Sequence, residues 1–240
     1  MRNLKAGNFS PIYILMGNEA YYIDKIADYI AENALAPEER DFNQEIVFGA
    51  DTTATQIVDM AKGYPMMAPR RVIIVKEAQG LKNLEPIEKY LANPSATSRI
   101  VLCHKNGTID ARKKIIAKAQ AVGVVFESKK LKDYQLPSFI EGYLKTRKAA
   151  IENKAVMMIA EAVGADLSRL TSELEKILIS LPDNDRRVTP EVVEEQIGVS
   201  KDFNSFELRD AIVNRDVYKA NLIIKYFDSN PKAGSLFSIL

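Results

Sequence analysis

The feature that most restricts this chain is a set of short, unbroken apolar runs in its first half. Ile12-Tyr13-Ile14-Leu15-Met16, Val72-Ile73-Ile74-Val75 and Ile100-Val101-Leu102-Cys103 contain no alternating polar positions. A strand with one face in water alternates apolar and polar residues, whereas such runs suit strands covered on both faces. Glu45-Ile46-Val47-Phe48 and Val124-Val125-Phe126 are further strand candidates. Between the runs lie stretches of helical spacing. Ile23, Ile26, Ala27, Ile30, Ala31 and Ala34 make one apolar stripe, and Ala111, Ile115, Ile116 and Ala119 another. Thr53 and Gln56 have the spacing of a capping box ahead of Ile57, Met60 and Ala61. A fourth helix is expected near Leu84–Leu91, and Gly123 is placed to stop the helix before the fifth strand. Five strands interleaved with four helices predict an α/β fold, a mostly parallel sheet with helices on both faces.

The pattern changes after Glu127. Lys129-Lys130-Leu131-Lys132 reads as a solvated basic linker, and from Leu136 only helical periodicity is found. One stripe holds Leu136, Phe139, Ile140, Tyr143 and Leu144, and the next Val156, Ile159, Ala160 and Val163. Asp166 is placed as the N-cap of a third helix with Leu167, Leu170, Leu174, Ile177 and Leu178 inward. Thr189-Pro190 opens a fourth, with proline at the tolerated first position. Beyond Ser200-Lys201-Asp202 come the stripes Phe206, Leu208, Ala211, Ile212 and Ala220, Ile223, Ile224, Phe227. Ser238-Ile239-Leu240 reads as the start of another apolar helix, which suggests a sequence cut short.

Composition removes several classes of function. Lys and Arg number 33 against 32 Asp and Glu, so no global field draws the 240-residue chain to nucleic acid. One cysteine and one histidine, Cys103 and His104, exclude a disulfide framework and argue against a zinc site of the usual ligand types. As neighbours on a strand they point to opposite faces, which disfavours a nucleophile pair. The amino terminus lacks the apolar core of a signal peptide and no run reaches membrane-spanning length, so a cytoplasmic protein without membrane contact is expected.

Two loops are candidates for function. In Lys62-Gly63-Tyr64-Pro65-Met66-Met67-Ala68-Pro69-Arg70-Arg71, two prolines within five residues exclude a helix interior or a central strand. Loops run over the surface, so Tyr64, Met66 and Met67 either fold back as a lid on the core or form a hydrophobic plug for a partner's pocket. Arg70-Arg71 flanks the next strand, where an ionic contact beside such a plug is one possibility. The second loop, Gly17-Asn18-Glu19-Ala20-Tyr21-Tyr22-Ile23-Asp24, follows the first strand, where an α/β sheet binds phosphate. A P-loop needs a second glycine, then Lys and Ser/Thr, at the places held by Tyr22, Ile23 and Asp24. The third strand ends in Val75-Lys76-Glu77 rather than a magnesium-binding Asp. The phosphate site reads as absent, and no cofactor or metal is expected.

Three stretches together resemble the delta subunit of the bacterial DNA polymerase III clamp loader. Tyr13-Ile14-Leu15-Met16-Gly17-Asn18-Glu19 is similar to that family's first strand and degenerate phosphate loop. Gly63 to Val72 resembles its clamp-binding loop and following strand. Gly164-Ala165-Asp166-Leu167-Ser168-Arg169-Leu170-Thr171-Ser172-Glu173-Leu174-Glu175-Lys176-Ile177 is similar to its second-domain signature. The resemblance implies an AAA+ architecture: a RecA-like domain over 1–132, a helical lid over 133–200 and the beginning of a helical collar over 201–240. It implies a subunit that opens the beta sliding clamp without hydrolysing ATP. The clamp-binding residues would be Tyr64, Pro65, Met66 and Met67, with Met67 where phenylalanine is frequent. Gly17, Asn18, Tyr22, Ile23 and Asp24 would be the inactive phosphate loop. The implied partners are the clamp, the gamma/tau and delta prime subunits through the collar, and primed DNA only within the full complex. The rival expectation is an ATP-binding AAA+ ATPase with an atypical phosphate loop.

Overall fold

The computed structural model describes residues 2–230, so the Ser238-Ile239-Leu240 stripe lies outside the described residues. The chain divides into two compact units after Lys130.

In the first unit the apolar runs are the strands β1 (Ile12–Gly17), β2 (Gln44–Phe48), β3 (Arg71–Lys76), β4 (Ser98–Lys105) and β5 (Val124–Ser128). They pair in the order β2-β3-β4-β1-β5, every pair parallel. Parallel neighbours need crossovers. These run through α2 (Ala20–Asn33), α4 (Ala54–Lys62), α5 (Glu85–Tyr90) and α6 (Lys114–Val122), with single turns α1 (Arg2–Lys5) and α3 (Arg40–Asn43). The two-residue period of a strand splits each run between two cores. Ile12, Ile14, Ile73, Val75, Ile100 and Leu102 pack with residues of α4, α5 and α6. Tyr13, Leu15, Val72, Ile74, Val101 and Cys103 pack with Ile23, Ala27 and Ile30 of α2. At the sheet edge, Ile46 and Phe48 of β2 remain exposed.

One boundary differs from the sequence expectation. α6 starts at Lys114 rather than at Ala111, because the Asp110 carboxylate accepts the Arg112 backbone N–H and closes a turn first. Gly123 does cap that helix, yet its backbone is not left-handed. A Cβ there would lie 2.2 Å from the Ile12 carbonyl oxygen, so close approach to β1 is what calls for glycine.

The second unit holds α7 (Leu136–Thr146), α8 (Asn153–Val163), α9 (Leu167–Ser180), α10 (Pro190–Ile197), α11 (Ser205–Val213) and α12 (Val217–Ser229). Asp166 caps α9 by accepting the Arg169 N–H at 3.0 Å, and Pro190 stands in the first turn of α10. Contrary to the purely helical expectation, β6 (Ala150–Ile151) and β7 (Arg187–Val188) form a parallel pair. Two residues per strand are too few for a period of two to show. Leu208 of α11 packs with Ile223 and Phe227 of α12. Glu207 of α11 takes ion pairs from Lys154 of α8 and Lys219 of α12. Among the described residues no helix is long and apolar enough to cross a membrane.

Candidate functional site

The proline-bearing loop connects α4 to β3, and both its ends are fixed. The capping box expected at Thr53 and Gln56 opens α4. Near the other end of α4 the buried Ser98 hydroxyl donates to the Ala61 carbonyl at 2.6 Å. On the strand side Arg71 pairs with Glu45 of β2, while the Arg70 guanidinium lies 4.9 Å from the centre of the Phe9 ring. Of the two arginines, therefore, Arg71 is neutralised within the chain.

Between these anchors the side chains point outward. Tyr64 is 88% exposed, Met66 61% and Met67 101%. They do not cover the core. Only Ala68, half-buried, packs against the core under α2. Met67 has φ 50°, a left-handed conformation that a non-glycine residue adopts at a cost of about 1–3 kcal/mol. Pro65 separates Tyr64 from the methionine pair and presets its own φ.

The loop is also tied from beneath by a residue without a sequence signature. Asn43, fully buried at the end of α3, accepts the Met66 N–H at 2.7 Å and donates to the Met66 carbonyl at 2.9 Å. Its second amide proton goes to the Glu39 carbonyl at 2.9 Å. All three contacts are long-range or cross a turn, and no periodicity or motif around Asn43 announces them.

At the other end of the strands the sequence-predicted phosphate loop is closed by the chain itself. Gly17 has φ 130°, and a Cβ there would lie 2.0 Å from the Ser128 carbonyl oxygen. Its N–H donates to the Gly107 carbonyl at 2.8 Å, and that of Asn18 to the Ser128 carbonyl at 3.2 Å. The buried Glu19 caps α2, its carboxylate accepting the Tyr21 N–H at 3.1 Å. A phosphate-binding loop offers backbone amides and a helix N-terminus to an anion. Here protein carbonyls take those amides and a protein carboxylate sits at that N-terminus.

The neighbouring positions serve structure as well. Ile23 is fully buried under the sheet. Burial, aided by Tyr21 and Glu19, pushes the Tyr22 phenol up. Asp24 lies 2.8 Å from Lys105 Nζ, which also reaches Glu77 at 3.4 Å. Burial opposes the charge on Lys105, but its bonds to Asp24 and Glu77 outweigh burial and hold its pKa up. Cys103 and His104 diverge as strand neighbours do. Cys103 lies in the core under α2, where burial pushes its thiol up to about 12. His104 lines an open cleft of about 590 Å³ with Gln79, Leu84, Asp110 and Lys113, its Nδ1 3.2 Å from the Gly107 carbonyl.

The family model "DNA polymerase III, delta subunit" matches residues 13–129, a span holding both loops. DNA polymerase III subunit delta of Bacillus subtilis (strain 168) is 26% identical over 224 residues. The alignment covers 89% of this chain and 64% of that relative, so the chain spans about two thirds of its length. Among solved structures, a DNA clamp loader delta protein of Bacillus subtilis has a TM-score of 0.69 at 24% identity, over 99% of this chain and 72% of that one. A RuvB variant of Thermotoga maritima has a TM-score of 0.50 at 13% identity, over 89% and 72%. The fold is thus of the AAA+ type, a five-stranded parallel sheet flanked by helices and followed by a helical unit. Residues 13–129 match the DNA polymerase III delta-subunit family model, and the chain as a whole is similar to that subunit in sequence and in fold.

Proposed function

We propose that this chain acts in a clamp loader as the subunit that grips and opens the beta sliding clamp, with Tyr64, Met66 and Met67 as the gripping residues. The observation that carries the reading is the outward tip on a tethered loop. Three large apolar side chains stand in water on a backbone held by Asn43, Ser98 and Arg71. Burying each in a partner's pocket contributes about 1.5–3 kcal/mol before ordering costs. Those costs are lowered in advance by the tether and by Pro65 and Pro69. The left-handed Met67 is the kind of local strain that surrounding structure maintains at a ligand clamp. Ring opening follows if the tip binds a clamp conformation that its closed interface disfavours, which shifts the population toward the open ring.

In this reading the chain hydrolyses no ATP and is a non-catalytic subunit of a cytoplasmic replication complex. The self-occupied amides of Gly17 and Asn18 and the Glu19 cap support that. It is organised as a RecA-like domain over 1–132, a lid over 133–200 and a collar beginning at 201. The exposed Ile212, Val213, Val217 and Tyr218 support a collar that meets gamma/tau and delta prime subunits. Primed DNA is met only within the assembled complex.

Replacing Met66 and Met67 together with alanine is expected to abolish capture of the cognate clamp while leaving the thermal midpoint nearly unchanged. Retained capture, or loss of fold in place of binding, would overturn the reading. Calorimetric titration with magnesium-ATP is expected to be flat, and micromolar binding would favour the ATPase alternative.

A further inference from the structure

We infer that Asn43 is a positioning residue for clamp binding, a latch that keeps the Tyr64–Met67 tip in its outward, binding-competent conformation. The inference rests on the clamp-binding reading above and names a residue outside the loop. The Asn43 amide meets both backbone groups of Met66, accepting its N–H at 2.7 Å and donating to its carbonyl at 2.9 Å. The pair of bonds copies the way a neighbouring strand would hold that residue. It fixes the backbone without touching the side chain, which is why Met66 can be pinned and still stand 61% exposed. The remaining donor of Asn43 goes to the Glu39 carbonyl at 2.9 Å, so the amide orientation is itself fixed from below.

Neither an acid nor an aliphatic side chain performs this. Aspartate can accept the Met66 N–H but lacks the donors for Met66 and Glu39, and would bring a charge into a fully buried position. Leucine leaves both Met66 groups without a partner. Large apolar side chains freed from the latch gain by turning onto their own core, and an inward tip is not available to a partner. The apparent affinity of a binder falls with the fraction of molecules in the competent conformation.

In this inference the latch seen in the free chain persists in the bound one, so its removal acts on the rate of capture and not on the rate of release. Asn43→Ala and Asn43→Asp are to be prepared in the full chain, with circular dichroism and thermal melting to verify that both fold. Hydrogen exchange at the Met66 amide without clamp reads the latch. Surface-immobilised cognate clamp reads association and dissociation separately. We expect faster Met66 exchange in Asn43→Ala, with Asn43→Asp between it and the parent because it keeps the acceptor for the Met66 N–H. The association rate for Asn43→Ala should be lower by roughly tenfold, equivalent to ~1.4 kcal/mol, with dissociation unchanged. The Met66 and Met67 alanine variant should instead dissociate faster. Unchanged Met66 exchange, or unchanged association by a parent chain that does bind clamp, overturns the latch and leaves the clamp reading standing. Failure of the parent chain to bind clamp overturns both. If one variant does not fold, the other carries the same comparison.

Discussion

Met67 shows most directly how single residues are set for an outward task. Its left-handed backbone favours glycine, yet the chain places there a fully exposed methionine. Met67→Gly is therefore expected to leave the thermal midpoint unchanged or slightly raised, since relief of the strain is offset by glycine's greater freedom in the unfolded chain and no core contact is lost. The same change should weaken clamp capture, measured beside the parent. Cys103 is the opposite case, a residue whose chemistry is silenced by its place. With the thiol pushed up to about 12, the folded protein keeps its proton where an unfolded thiol, ionising near about 8.5, has lost it. A raised folded pKa gives stability that is complete below the unfolded value and lost as pH rises through the window up to the folded one. From pH 8 to pH 10, urea unfolding should show the parent losing stability more steeply than Cys103→Ala, by up to about 1.4 kcal/mol per pH unit.

Among the elements, α4 links sequence grammar to the working loop. The Thr53 hydroxyl accepts the Gln56 N–H at 3.3 Å, and the Gln56 side chain accepts the Thr53 N–H at 2.8 Å. Two helix-end donors are satisfied at a cap five residues beyond the end of β2, and the helix then delivers Gly63 and the loop. Thr53→Ala should reduce stability by about 1 kcal/mol, seen as a lower urea midpoint with an unchanged slope. The start of α2 follows the same rule to a different end. There the cap is the buried Glu19, and a carboxylate at that helix N-terminus holds the position a nucleotide phosphate would take. One local device, a side-chain cap, thus precedes an exposed loop in one place and fills a helix N-terminus with a carboxylate in another.

Across the whole molecule, the two compact units meet in sequence at the exposed Lys129 and Lys130, which have no regular structure. Brief trypsin treatment of the native chain should cut first around Lys129–Lys132, giving one fragment that ends near Lys130 and one that begins near Leu131. Early cleavage at Lys25 inside α2 or at Arg169 or Lys176 inside α9 instead would show that the units are not separately stable. The exposed apolar residues of α11 and α12 also belong to this scale, as does β2, whose Ile46 and Phe48 are exposed among the described residues.

What was legible beforehand follows from the range of the forces involved. Strand runs, helix stripes and the Thr53 and Asp166 caps depend on neighbours within a few positions, so spacing and residue type were enough. The missing P-loop residues at Tyr22, Ile23 and Asp24 were readable for the same reason. Whether Tyr64, Met66 and Met67 turn inward or outward stayed open in the sequence until the fold decided it. The pairing order β2-β3-β4-β1-β5, the two-residue β6–β7 contact and the split of each apolar run between two cores arise from chain segments far apart in sequence. So do the Asn43 hold on Met66 and the closing of the Gly17 loop by Gly107 and Ser128. Hydrogen bonds over such separations leave no period to detect, and only the folded chain decides which buried polar group finds which partner.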